Sequence, residues 1–224
     1  QGLRHIIVKE PGQILKHDVA VLITHVPAGR LKPHILPYMK QLQDAGLRVV
    51  LVAAVDRPVE FTEEESATAH GIIVRDNTSY DFGAWQLVFQ LYPDLFGANF
   101  LIITNDSVVP TLESDVFQGM ISRVRTYPAD IVGLTASHEY GWHIQSYFLG
   151  FKPKALSSLL FNDFIRNIEQ IDDEDTAARI YEIPFSKRMQ AGGLTIKAIY
   201  TSPVPVNPTF FGWKELIDQG FPFI

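Results

Sequence analysis

Four short, almost unbroken apolar runs, each closing on polar residues, constrain this chain more than any other feature. "VAVLITHV" (19–26), "LRVVLVAAV" (47–55), "GIIVRDN" (71–77) and "NFLIITNDS" (99–107) are rich in β-branched side chains and hardly alternate. Such runs describe strands covered on both faces, the habit of parallel sheets. Helical patterns separate them. "KPHILPYMKQLQDAG" places Ile35, Met39 and Leu42 at i, i+4, i+7, with Gly46 at the expected C-terminus, and Pro37 predicts a late start to the regular helix. "FTEEESATAH" opens on acids, and "FGAWQLVFQLYP" carries Phe82, Trp85 and Phe89 on one face. Strand, helix, strand repeated in this way gives right-handed parallel crossovers. The expectation is an α/β domain with a mostly parallel central sheet flanked by helices.

The pattern continues with a helix near 114–127, a strand in "ADIVGLTAS" (129–137) and a partly alternating strand in "HIQSYFLGFKP" (143–153). A helix-rich last third, a strand "LTIKAIY" and a Pro-rich tail follow. No Gly/Ser/Pro linker interrupts the chain, so residues 1–224 are expected to form one domain, and a start on Gln1 is expected of a piece excised from a larger protein.

Composition narrows the partners. With 19 basic against 25 acidic residues, net −6, composition gives no sign of a broad basic face, and nucleic acid is not an expected partner. The absence of cysteine excludes disulfides, thiolate metal sites and a cysteine nucleophile. No apolar run approaches the roughly 20 residues of a membrane helix, and "QGLRHIIVKEPGQ" lacks a signal-peptide layout.

In open parallel sheets, ligands bind outside the carboxyl ends of the strands. The exits here read His25, then Arg75-Asp76-Asn77, then Asn105-Asp106-Ser107. No GxGxxG and no Gly-rich Lys-Ser/Thr loop is present, which demotes dinucleotide and P-loop readings. Asp106, directly behind apolar strand residues, can face a diphosphate and hold a hard divalent cation, or can cap a helix or a turn. Arg75, Asp76 and Asn77 carry the same pair of readings, solvated turn or ligand contact. "SHEYGWHIQSYF" gathers aromatic and polar residues, including His138, His143 and Gln145, in a loop suited to a sugar, whose C–H faces stack on rings. Glu182, just before Pro184, fits the first turn of a helix as an electrostatic cap, or as a general base if that end meets a cleft. Arg188, nearly two turns on, can steady an anion or project into water.

Five ordered blocks, "RDNTSYDFGAW", "IITNDSVVPTL", "IVGLTASHEYGWHIQSYFLGFKPKAL", "YEIPFSKRMQAGG" and "NPTFFGWKELIDQGFPFI", resemble the bacterial rhamnan synthesis protein F family over about 19–224. The resemblance implies a single GT-A-like (Rossmann-like) nucleotide-diphospho-sugar transferase domain. By the same resemblance it implies an inverting glycosyltransferase of cell-surface polysaccharide assembly, moving rhamnose from dTDP-rhamnose to a saccharide hydroxyl, lipid-linked acceptors included. Mapped onto the GT-A pattern, Asp106 would hold Mg²⁺ or Mn²⁺, with Asn105 where a second acid is usual. Glu182 would be the catalytic base with His143 beside it. Asp76, Asn77 and Asp81 map onto the nucleotide-contacting segment of that pattern, and His25, Arg75, Asn105, Gln145 and Arg188, read from the strand exits, the polar loop and the helix, are expected to bind the donor with them. Other polysaccharide-assembly proteins and the inner face of the cytoplasmic membrane are the implied setting. Two other readings accompany it. One is a sugar-phosphate nucleotidyltransferase, for which "THVPAGRLKPH" offers Gly29, Arg30 and Lys32 as a phosphate loop. The other is a non-catalytic saccharide- or nucleotide-binding domain of a larger synthase.

Overall fold

The computed structural model describes residues 4–171, 173–204 and 206–223. These form an eight-stranded sheet in the order β1 (His5–Lys9), β4 (Gly71–Asp76), β3 (Arg48–Val55), β2 (Asp18–Val26), β5 (Phe100–Asn105), β9 (Phe148–Phe151), β6 (Ile131–Gly133) and β10 (Ile196–Ala198). β1 and β9 run against their neighbours, and the other strands share one direction. Helices α1 (Ile35–Asp44), α2 (Glu63–Thr68), α3 (Tyr80–Leu91), α4 (Ser114–Thr126), α5 (Pro153–Leu156), α6 (Leu159–Arg166), α7 (Glu174–Ala177), α8 (Ile183–Ala191), α9 (Pro208–Phe211) and α10 (Trp213–Asp218) accompany it. The fold is mixed α/β with a large, mostly parallel central sheet flanked by helices.

The continuous apolar runs arise because each central strand feeds two cores. β2 sends Val19, Val21 and Ile23 into one core, with Trp85 of α3, Phe161 and Phe164 of α6 and Phe185 of α8. Ala20 and Leu22 enter the other, with Tyr38 and Met39 of α1 and Phe117 of α4. Burying each large side chain contributes roughly 1.5–3 kcal/mol. Stability therefore resides in the strands, which leaves their exits free to carry polar groups.

Local signals behave as expected at most ends. Gly46 (φ +81°) closes α1, and Thr62 with Glu65 forms a capping box on α2. Pro37, however, does not delay α1, which begins at Ile35. A proline in the first turn lacks only an N–H that has no intrahelical partner there.

The two later strands are each divided. From "ADIVGLTAS" only Ile131–Gly133 joins the main sheet, while β7 (Ala136–Ser137) pairs with β8 (His143–Ile144) in a separate hairpin. "HIQSYFLGFKP" splits likewise into β8 and β9, the latter lying antiparallel between β5 and β6. Gln145 and Tyr147 make the break, because Gln145 N–H bonds the Thr135 carbonyl (3.0 Å) and the Tyr147 carbonyl accepts from Asn105 N–H (3.1 Å). β1 is an edge strand with Ile6 and Val8 exposed. Among the described residues, no helix is long and apolar enough to cross a membrane.

Candidate functional site

A cavity of about 460 Å³ opens where β2, β3, β4 and β5 end. Its lining includes Thr24 and His25 at the end of β2, Asn77 after β4, Tyr80 and Asp81 at the start of α3, and Asp106 and Ser107 after β5. Lys32, Ser146 and Glu182 complete the walls. Asp106 and Glu182, 76 positions apart in sequence by subtraction of their numbers, thus border one space.

Asp106 is closely held. Its Oδ2 accepts from the Thr24 hydroxyl (2.5 Å), His25 N–H (3.2 Å) and the Lys32 ammonium (2.7 Å). Its side chain is 12% exposed. Both ends of the Asn105 amide are engaged, since Nδ2 donates to Asp81 Oδ2 (2.5 Å) and Oδ1 accepts from Ser107 N–H (3.0 Å). Asn105 is therefore a bracket under the floor and does not line the cavity.

This donor set does not fit the Mg²⁺ or Mn²⁺ expected at Asp106. One carboxylate oxygen already takes three donors, one of them a full positive charge, and the neighbouring amide oxygen is engaged. Among the described residues, no three His, Cys, Asp or Glu side chains converge as metal ligands. The cation the arrangement accommodates is the ammonium of Lys32.

Toward the outer rim, Asp56 follows β3. It accepts from His25 Nε2–H (2.7 Å) and Asn77 Nδ2 (3.1 Å), so three consecutive strand exits are tied together. The His25 hydrogen bond, then that of Asn77, holds the Asp56 carboxyl below its usual range. Sequence reasoning passed over Asp56, although "LVAAVD" ends with the apolar-then-acid signature of the other exits. It also treated Lys32 only as part of a loose phosphate loop.

Asp81 sits at the back of the cavity. Burial pushes its carboxyl up to about 6, against the Asn105 hydrogen bond, while nearby Asp106 adds to the rise and Arg75 opposes it. Arg75 does not face this cavity. It is 1% exposed, its Nη1 donates to the Tyr80 carbonyl (2.9 Å), and its charge lies near Asp81 and Asp76. That bond secures a turn in which Ser79 (φ +59°) and Tyr80 (φ +45°) are both left-handed, at a cost of about 1–2 kcal/mol each. Gly83 makes room for it, since an added Cβ would stand 2.6 Å from Ser79 Cβ. Asp76 is exposed and borders a different cavity beside β1.

The opposite wall is a helical path from Glu174 to Ala191. Residues Ala178–Glu182 form a π turn, with Ile183 N–H bonding the Ala178 carbonyl. Pro184 has no N–H to return to Ile180, which removes the competing α-helical bond. Glu182 is therefore inside a continuous helix, and the expectation of a free helix N-terminus there is corrected. Its Oε2 accepts from the Ser146 hydroxyl and from Ser146 N–H (3.2 Å).

Three other expected residues are not in the cavity. His143 is buried behind Glu182, its Nδ1 bonded to the Gly141 carbonyl (2.9 Å) and its Nε2 3.7 Å from Glu182 Oε1. Gln145 accepts from the Thr135 hydroxyl (2.7 Å), which in turn accepts from Tyr147 O–H (2.7 Å). Along this extended segment Ser146 faces the cavity, so Gln145 and Tyr147 face away. Arg188 is exposed and lies over the Phe164 ring at 5.4 Å. Six positions along a helix rotate it about 120° from Glu182.

Comparison with known proteins adds the following. The "Uncharacterized protein y4gN" of Sinorhizobium fredii is 30% identical over 188 residues, 82% of this chain and 48% of that protein. The chain thus spans about half the length of this relative. A CMP:2-keto-3-deoxy-manno-octonic acid synthetase complexed with CTP superposes with a TM-score of 0.44 at 14% identity, covering 90% of this chain and 99% of that one. A Desulfovibrio desulfuricans G20 protein, provisionally described as a nucleotide-diphospho-sugar transferase, superposes with a TM-score of 0.37 at 9% identity, covering 82% and 80%. The family model of rhamnan synthesis protein F matches residues 51–224, and the chain belongs to that family.

Proposed function

We propose that this chain is a GT-A-like glycosyltransferase domain of cell-surface polysaccharide synthesis, transferring rhamnose from dTDP-rhamnose to a saccharide hydroxyl with inversion. The observation that carries the reading is the single cavity bordered by the Lys32–Asp106 pair and by Glu182. The family's association with rhamnan synthesis supports the sugar.

In the displacement, Glu182 takes the proton of the acceptor hydroxyl. The acceptor oxygen bonds the anomeric carbon as that carbon's bond to the diphosphate oxygen breaks, and the electron pair departs with the diphosphate. Charge developing on the leaving group requires a fixed positive partner in a site with little water. Lys32, steered by Asp106, supplies it. Ser146 donates twice to one oxygen of Glu182 and so fixes the direction in which the carboxylate points. His25, Asp56 and Asn77 form a polar rim suited to the nucleoside. The reading sets the reaction at the inner face of the cytoplasmic membrane, with a lipid-linked acceptor and other assembly proteins as its partners.

The test is to incubate the purified chain with dTDP-rhamnose and with UDP- and GDP-sugars and to measure free nucleoside diphosphate. Glu182→Gln should lower turnover by ~10²–10⁴ and leave nucleotide binding intact. Unchanged turnover removes Glu182 from the role. Pyrophosphate released from a nucleoside triphosphate and a sugar phosphate would establish nucleotidyl transfer instead, and binding without any turnover would establish a binding module.

A further inference from the structure

A second cavity, of about 370 Å³, opens on the same edge of the sheet. It lies where β6 and β10 end, and these strands share the direction of β2 and β5. Trp142 and His138 come from the β7–β8 hairpin, Lys197 from β10, Thr201 from the segment beyond it, and Gln190 from α8. We propose that this cavity is a saccharide subsite holding the growing acceptor chain, whose terminal hydroxyl reaches Glu182 in the first cavity. The proposal rests on the glycosyl-transfer reading above and names the acceptor's path within it.

Three observations carry it. The first is chemical. Trp142 packs on the aromatic core and also lines the cavity, offering a ring for stacking. An amide, three hydroxyls (Tyr200, Thr201 and Ser202), an imidazole and one ammonium surround it, and no carboxylate lines the cavity among the described residues. A ring with neutral donors and acceptors suits the C–H faces and hydroxyls of a sugar. The volume falls within the range of about 300–1,000 Å³ for small-molecule sites.

The second is helical register. Glu182, Ser186 and Gln190 are spaced i, i+4, i+8 and so share one face of the helical path. Glu182 borders the first cavity and Gln190 the second. Between them, Ser186 accepts from Ile144 N–H (3.0 Å), binding the helix to the hairpin. The third is the hairpin itself. Its base lines the second cavity, while at its tip the exposed Tyr140 ring lies under Arg179 at 5.9 Å, next to Ala178 of the first cavity. One helix face and one hairpin therefore run from cavity to cavity.

The experiment uses a rhamnose trisaccharide as acceptor, with maltotriose for comparison. Gln190 and Lys197 are exposed, so the double variant Gln190→Ala/Lys197→Ala retains the fold, and Trp142→Ala is examined beside it. The double variant should raise the acceptor KM about tenfold and leave donor hydrolysis without acceptor unchanged. An unchanged acceptor KM overturns the subsite. Loss of donor hydrolysis in the double variant overturns it as well, because the cavity would then shape the donor site. If the wild-type chain turns over no donor, the catalytic reading fails separately, and the subsite is read from binding. Trisaccharide binding to the wild type that the double variant weakens then upholds it, and no binding overturns it.

Discussion

The two walls of the first cavity are built by different means. The wall bearing His25, Asn77 and Asp106, with Asp56 bonded behind His25 and Asn77, is made of strand exits, where an apolar run stops at the sheet edge and the next polar residue stands at the mouth. The wall bearing Glu182 depends on contacts made far along the chain. Ser146 meets Glu182 across 36 positions, and Ile144 meets Ser186 across 42. Strand periodicity fixes the first wall locally, whereas the second exists only after the hairpin and the helix have packed. Damage to the first should therefore act on the charge of the leaving group, and damage to the second on the geometry of the base.

On the strand-exit side of this contrast, the largest effect is expected at Lys32. If its ammonium neutralises the diphosphate, Lys32→Ala should lower turnover by ~10²–10³, the usual loss when one positioned charge-stabilising group is removed. Wild-type turnover should meanwhile persist in excess EDTA. Steady-state assays with and without chelator check both points. Activity lost to EDTA and restored by Mn²⁺ would show that Asp106 releases Lys32 and takes up the metal, and the strand-exit wall would then work by Lewis-acid chemistry.

How far each wall was legible follows from the same distinction. "VAVLITHV" and "LIITND" announce both their strands and their exits, because short runs rich in β-branched residues that stop on polar groups suit strands covered on both faces. Asp106 and His25 could thus be placed at the mouth from the sequence alone. Gln145 and Arg188 were misplaced for want of a register, since a strand side or a helix face cannot be assigned until the neighbours of Ser146 and Glu182 are known. The π turn had one visible cause, Pro184, but a proline just after a candidate glutamate reads equally as the start of a helix. Lys32 gave only the loose phosphate-loop signal of "THVPAGRLKPH", as its loop carries no periodicity. The glycine of "DFGAW" belongs to the same group, because its need is set by Ser79 across the turn. Gly83→Ala should bring a Cβ within 2.6 Å of Ser79 Cβ. Overpacking of this kind costs about 1–3 kcal/mol, or a fall of a few degrees in Tm for a chain of this size. Thermal unfolding measures it. A Tm equal to that of the wild type would mean that the Ser79–Tyr80 turn relaxes freely and does not fix Asp81.

The smallest expected effect tests whether Asp81 belongs to the buried back of the cavity or to its wet rim. Its folded-state pKa of about 6 stands above the ordinary 3.8 because burial disfavours the charge. Between these values the folded chain keeps a proton that the unfolded chain has released. The group's contribution to stability therefore declines as pH rises from about 4 to 6 and is level above that. A rise of this size corresponds to about 2–3 kcal/mol. Asp81→Asn, which can still accept from the Asn105 amide, has no charge to bury. Its Tm should match the wild type near pH 4 and exceed it by pH 7.5, with the gap opening through the pH 4–6 window. Parallel Tm curves across that window would assign Asp81 to the solvated carboxylates, beside Asp56, and would remove the buried acid from the strand-exit wall.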